Sequence, residues 1–217
     1  MVGVLGTIGG LTAGQWGLVT AAQAARLGVS RLQLSRLAGA GLLERLGKGV
    51  YRSTGAPTDR FEGVRAAWLS VDPRLTAEER LRPEVPDAVV SGAAAAWLHG
   101  VGDLVPEPYE FTVGSRRQTQ RSELRFRLRR LPAESVTIRE GLPATTIEQT
   151  VADLVEARTD PSLVAGVLAD AQAVDRGRLS GLLGPLAARN GFTSGEALLS
   201  RLGAPDSTGP LEGVDDA

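Results

Sequence analysis

Apolar residues recur along residues 18–52 with two different periods, and the change of period divides that stretch into elements. Ala25 and Leu27 lead into Gly28, and Leu34, Leu37 and Ala38 share one face at helical spacing, so two short helices are predicted around a tight turn. Capping pairs mark where they begin. Thr20 stands three residues before Gln23, and Ser30 three residues before Gln33. At that spacing a hydroxyl and an amide each satisfy the other's free backbone N–H. Gly28 supplies the left-handed residue that ends the first helix. A connection this short, with Gly in it, is the signature of a helix-turn-helix. Gly39 and Gly41 close the second helix, and LLERL and GVYR around Gly47-Lys48-Gly49 predict a β-hairpin. Helix, turn, helix and hairpin in that order describe a winged helix-turn-helix.

Further along, the pattern predicts a larger body. STGAPTD at 53–59 reads as a linker, 61–69 as a helix, and the proline-rich, charged stretch 72–87 as a loop with a helical turn. VVSGAAAAWLHGV predicts a buried helix capped by Ser91 and ended by Gly100. Alternation over 109–113, 123–131 and 135–140 predicts strands. Helices follow from Thr146 with Gln149, from Asp160-Pro161, near 178–190, and from Thr193 with Glu196. The expected fold is α+β: an N-terminal winged helix-turn-helix over 1–56, then an α/β C-terminal domain over 57–203 with a small, mainly antiparallel sheet and C-terminal helices. Residues 204–217 are expected to form a disordered acidic tail.

Charge turns this outline toward a partner. Residues 1–56 hold six cations (Arg26, Arg31, Arg36, Arg45, Lys48, Arg52) against Glu44, a charge of +5, so with a total of −1 the remainder carries −6. A basic module on an acidic body suits a polyanion bound through counterion release. A small structural helix pair with solvated arginines is the competing reading, and this asymmetry weighs against it. On the second helix Arg31, Gln33, Ser35 and Arg36 lie away from the apolar face. Arg pairs with guanine, Gln with adenine, and Ser with either base edges or phosphate. Arg45, Lys48 and Arg52 of the wing suit phosphates or a minor groove. Leu32 departs from the polar residue expected at an outward position; contact with a thymine methyl and sideways packing both suit it. Residues 114–140 carry eight Arg against three Glu, and Arg116, Arg117, Arg125, Arg127 and Arg129 form a second basic surface. A solvated sheet face and a second contact surface both fit that composition.

Enzyme readings find little support. The chain has no Cys and one His, His99, which excludes thiolate metal sites and argues against a conventional Ser-His-Asp triad. His99 itself reads as a helix C-terminal cap. Gly114-Ser115 is followed by arginines and only Glu123, so the paired acids a nucleotidyltransferase needs for Mg²⁺ are missing. The only lysine, Lys48, lies in the wing, away from the acids a restriction-type nuclease would need. No catalytic residue, metal or cofactor is therefore expected. No run approaches the ~20 apolar residues of a membrane span, and no charged region precedes the N-terminal apolar stretch, so a cytoplasmic protein with no membrane partner is expected.

The stretch GLVTAAQAARLGVSRLQLSRLAGAGLLERLGKGVYR, followed by VVSGAAAAWLHGV, the strand block and GLPATTIEQTVADLVEA, resembles the AbiEi-type antitoxins of bacterial toxin-antitoxin pairs. The likeness covers roughly residues 11–203 and is most specific at the N-terminus. It implies a two-domain autorepressor. The winged helix would bind promoter repeats of its own operon as double-stranded operator DNA. Independently of the resemblance, single helix-turn-helix modules often read half-sites in pairs, so a second protomer on a repeat is expected. The C-terminal domain would neutralise a cognate nucleotidyltransferase-like toxin. A stand-alone winged-helix regulator with a ligand-sensing or dimerising C-terminal domain is the alternative.

Overall fold

The computed structural model describes residues 2–203. Its first element is absent from the sequence expectation. Helix α1 (Val2–Gly14) contains Gly3, Gly6, Gly9, Gly10 and Gly14, each unfavourable in a helix by about 1 kcal/mol relative to Ala. Local propensity therefore argues against it. Tertiary burial is what holds it: Ile8 is 1% exposed and packs with Val19, Leu34, Leu37 and Tyr51.

Strand β1 (Leu18–Thr20) leads into α2 (Ala21–Arg26) and α3 (Arg31–Gly39), and then β2 (Leu43–Gly47) and β3 (Val50–Ser53) form the hairpin. Both expected capping boxes are present, at Thr20 with Gln23 and at Ser30 with Gln33, and Gly28 has φ +78°. The three strands make an antiparallel sheet in the order β1-β3-β2. This is a winged helix. Alternation along its strands sends side chains to two cores. Val19 and Tyr51 join Ile8, Leu34 and Leu37, whereas Leu18 and Val50 join Phe61, Val64 and Trp68 of the following helix α4 (Glu62–Val71). The boundary expected at residue 56 falls between β3 and α4, yet the apolar packing crosses it.

The body is built on a five-stranded sheet in the order β6-β5-β4-β8-β7, from β4 (Ala88–Ser91), β5 (Tyr109–Val113), β6 (Leu124–Leu128), β7 (Val136–Arg139) and β8 (Leu142–Thr145). It is mixed: β4–β5 and β7–β8 pair antiparallel, β4–β8 and β5–β6 parallel. On one face Trp68 of α4 packs with Val90 and Phe111, its Nε1–H donating to Ala88 O at 2.8 Å. A second core joins α7 (Ile147–Glu156), α8 (Pro161–Asp170), α9 (Arg176–Ala187) and α10 (Gly195–Leu202) around Val151, Val167, Leu183 and Leu199. The short helix α5 (Ala77–Leu81) lies in the stretch expected to be a loop with a helical turn.

Several boundaries depart from expectation for identifiable reasons. Helix α6 (Gly92–His99) starts after Ser91 and ends at Gly100 as expected, but residues 88–91 ahead of it form strand β4, which has no separate signal in the sequence. A central strand buried on both faces shows no alternation, so periodicity cannot separate it from helix. The short strand β8 carries no strand signal of its own in the sequence, because it lies between Gly141 and Thr146, where turn and cap signals dominate. Helix α10 is capped by Ser194, whose Oγ accepts from Ala197 N at 3.1 Å, one residue beyond the expected Thr193. The expected acidic tail, 204–217, lies outside the described residues.

A seam joins winged helix and body. Trp16 packs edge-on against Trp68 with centroids 6.3 Å apart, and the Arg65 guanidinium lies 5.2 Å from the Trp16 ring centroid. Arg65 also donates to Glu140 O at 3.0 Å and pairs with Asp59 at 2.6 Å. Gly141 has φ +81°, and a Cβ there would lie 2.9 Å from Trp16 Nε1, so glycine is required by conformation and by space.

Candidate nucleic-acid interface

Helix α3 buries Leu34 and Leu37 and turns Arg31, Leu32, Ser35 and Arg36 to solvent. Arg31 and Arg36 have no carboxylate partner among the described residues, and Leu32 is 60% exposed, so it does not pack sideways. Gln33 is placed differently. Its Oε1 accepts from Ser30 N at 2.8 Å and from Ser30 Oγ at 3.0 Å, which caps the helix and leaves Nε2–H free. A bidentate adenine contact needs both amide atoms, so Gln33 would have to release the cap to make one.

The hairpin is anchored to the helices through Ala21 N, which donates to Gly49 O at 2.7 Å. Lys48 stands exposed at its tip beside Gly49 (φ +76°), and exposed Arg45 donates to Gly47 O at 3.3 Å. Arg52 does not join them. Its side chain is 11% exposed, pairs with Glu44, and lies 3.0 Å from the Glu62 carboxylate in a geometry that balances charge without a well-aligned hydrogen bond. The alternation that sends Tyr51 toward the helices turns Arg52 into the seam, so it holds the fold rather than facing a phosphate.

The five arginines expected to form a second basic surface are dispersed by the fold. Arg127 Nε lies 3.0 Å from Glu110, and Arg127 Nη1 lies 2.5 Å from Glu156. Arg129 bonds Asp153 at 2.6 Å and also pairs with Glu156. Asp153 has a fully buried side chain and accepts from Gln149 Nε2 at 2.9 Å. Burial lifts its carboxyl above the usual range, against the opposing pull of Arg127 and Arg129. This face is thus covered by α7 and neutralised by its acids. Gln149, Asp153 and Glu156 share a helical face by spacing, the signal in the sequence that could have found this. Arg117 is elsewhere, donating to Val71 O at 2.8 Å and to Asp87 at 3.0 Å. Only Arg116 and Arg125 remain exposed.

His99 does not cap its own helix. Arg139 Nε donates to His99 Nδ1 at 3.1 Å, which makes Nε2 the protonated nitrogen, and Nε2–H donates to Thr145 O at 2.7 Å. The ring ties α6 to β7 and β8, and burial lowers its pKa. Among the described residues no cluster of three or more His, Asp or Glu is placed to hold a metal ion. No described helix is long and apolar enough to cross a membrane.

Residues 11–54, which span the winged helix from the end of α1 to β3, match the family model described as transcriptional regulator, AbiEi antitoxin. Residues 88–199, from β4 into α10, match the AbiEi antitoxin C-terminal domain. The chain belongs to the AbiEi antitoxin family. Membership makes it an antitoxin and transcriptional regulator with a DNA-binding role, whose partners are DNA and a toxin. Among solved structures, the RV2827C protein from Mycobacterium tuberculosis shares the fold, with a TM-score of 0.53 at 18% identity over 83% of this chain and 71% of that one. No curated protein matches the chain. The segment 55–87 of this AbiEi-family chain lies outside both family matches, although it holds α4, α5 and much of the seam.

Proposed function

We propose that this antitoxin represses its own operon by placing α3 in the major groove of promoter repeats, one protomer on each half-site. Arg31, Ser35 and Arg36 face base edges, Gln33 offers its free Nε2–H, and Arg45 and Lys48 of the wing take phosphates or a minor groove. Residues 57–203 neutralise a nucleotidyltransferase-like toxin, with Arg116 and Arg125 as the exposed remainder of the second basic surface. No catalytic residue, metal or cofactor enters this reading.

The observation that carries it is the outward face of α3: two arginines without carboxylate partners on a doubly capped helix, in a chain whose two matched stretches are a regulator and an antitoxin domain. The test uses the full chain carrying Arg31→Ala and Arg36→Ala. Binding to the DNA upstream of its own gene should be lost in a gel shift. Rescue of growth poisoned by the neighbouring gene's product should persist. Equal binding of the unaltered protein to upstream and scrambled duplexes rejects autorepression, and loss of rescue together with DNA binding rejects the division of labour.

A further inference from the structure

The loop between α4 and α5 is fastened to the first helix of the helix-turn-helix by three consecutive carbonyls. Thr20 Oγ1 donates to Pro73 O, Arg26 Nη1 to Arg74 O at 2.7 Å, and Gln23 Nε2 to Leu75 O at 2.7 Å. Gln15 Oε1 extends the latch by accepting from Ala77 N at 3.2 Å. These donors sit on or beside α2, so this part of the body moves with the reading head rather than hanging from a linker.

The latch leaves the Arg74 side chain exposed, with no hydrogen-bond or ion-pair partner among the described residues. It borders a shallow groove lined also by Ala21, Ala22 and Ala25 of α2, by Arg31 at the start of α3, and by Leu75. No carboxylate lines this groove. Arg26 also lines it, and the acid it meets, Glu79, is engaged there: both Glu79 oxygens lie 2.9 Å from the Arg26 guanidinium. Arg26 and the Thr76 N–H hold its carboxyl down at about 2. Arg31 and Arg74 thus face the groove with uncompensated charge, and small alanine side chains let an anion approach the helix surface closely.

We infer that Arg74 is a DNA-backbone contact supplied by the body, binding a phosphodiester beside the site where α3 enters the groove. The inference rests on the proposed DNA-reading role of α3 and extends the interface beyond residues 1–56. Phosphate contacts fix the register of a reading helix without carrying sequence information. The latch suits that purpose because it holds the loop rigidly against α2.

The test measures binding of full-length protein to the upstream duplex and to an equal-length scrambled duplex across a salt series, for the unaltered chain and for Arg74→Ala, Arg74→Lys and Arg31→Ala. Losing one phosphate contact should flatten the slope of log affinity against log salt by about 0.9. Between about 50 and 200 mM salt the unaltered chain should then lose about 3.5-fold more affinity than Arg74→Ala. Arg74→Ala should weaken both duplexes by the same factor, and Arg74→Lys should restore the slope, because a phosphate needs charge rather than a guanidinium fork. An unchanged melting temperature is expected, since the exposed side chain makes no hydrogen bond or ion pair among the described residues. If Arg74→Ala leaves slope and affinity unchanged while Arg31→Ala weakens the upstream duplex, α3 still reads DNA and the Arg74 contact is overturned. A loss confined to the upstream duplex would make Arg74 a base reader and also overturns the phosphate role. Absence of binding by the unaltered chain to either duplex overturns both readings.

Discussion

Leu18 lies on the winged helix but is fully buried in the core that contains Phe61, Val64 and Trp68. Leu18→Ala removes about three carbon groups from that core, or about 2.4 kcal/mol of transfer free energy at about 0.8 kcal/mol each. A residual cavity adds to this, and fully buried Leu→Ala changes span about 2–5 kcal/mol. A loss of about 3 kcal/mol is expected. For a chain of this size each kcal/mol moves the melting temperature by about 2–4 °C, which predicts a drop of about 6–12 °C. The location of the loss is the sharper test. Because the residue is shared between two halves, both should open together. Amide hydrogen exchange resolved by segment should show lost protection in α2 and α3 and equally in β4 and β5, with a single thermal transition by every probe. Early opening of the winged helix, with β4 and β5 keeping their full protection, would refute the idea that the seam is one cooperative unit.

Other predictions follow from single contacts. Arg31→Ala or Arg36→Ala should weaken specific DNA binding by about 1–3 kcal/mol if each side chain makes a bidentate base contact, read by gel-shift titration; unchanged affinity in both variants would dismiss α3 as the reader. Gly141→Ala forces an L residue to φ +81° with its Cβ 2.9 Å from Trp16 Nε1, so it should destabilise by at least about 1 kcal/mol in denaturant unfolding. His99 has a folded pKa below the 6.5 of an unperturbed imidazole. The unfolded chain therefore takes up a proton before the folded one does, and stability should fall as pH drops below 6.5, by at most about 1.4 kcal/mol per pH unit from this group. His99→Gln should flatten that segment of the stability curve, and a curve that keeps its full slope would exclude His99 as the cause.

Local signals were legible where they are short in range. Thr20, Gln23, Gly28, Ser30 and Gln33 mark helix ends by contacts within a few residues, and all appear at those ends in the structure. Strands β5, β6 and β7 were likewise visible as alternation. Helix α1 and strand β4 were not, because a glycine-rich helix and a strand buried on both faces depend on neighbours distant in sequence. The candidate site divides in the same way. Arg31, Ser35 and Arg36 were readable as outward positions of an amphipathic helix. The inward turn of Arg52, the use of Gln33 as a cap, and the pairing of Arg127 and Arg129 with Glu110, Asp153 and Glu156 depend on what faces each side chain.

The sequence alone determined that a capped helix pair and a hairpin begin this chain and that six cations stand there against a single acid, since capping, helical period and net charge are local or additive properties. Only the tertiary structure decided which of those cations are free. Charge in a composition is counted one residue at a time, whereas availability depends on a partner within a few ångströms, and here the partners of Arg26, Arg52, Arg127 and Arg129 are brought up by the fold.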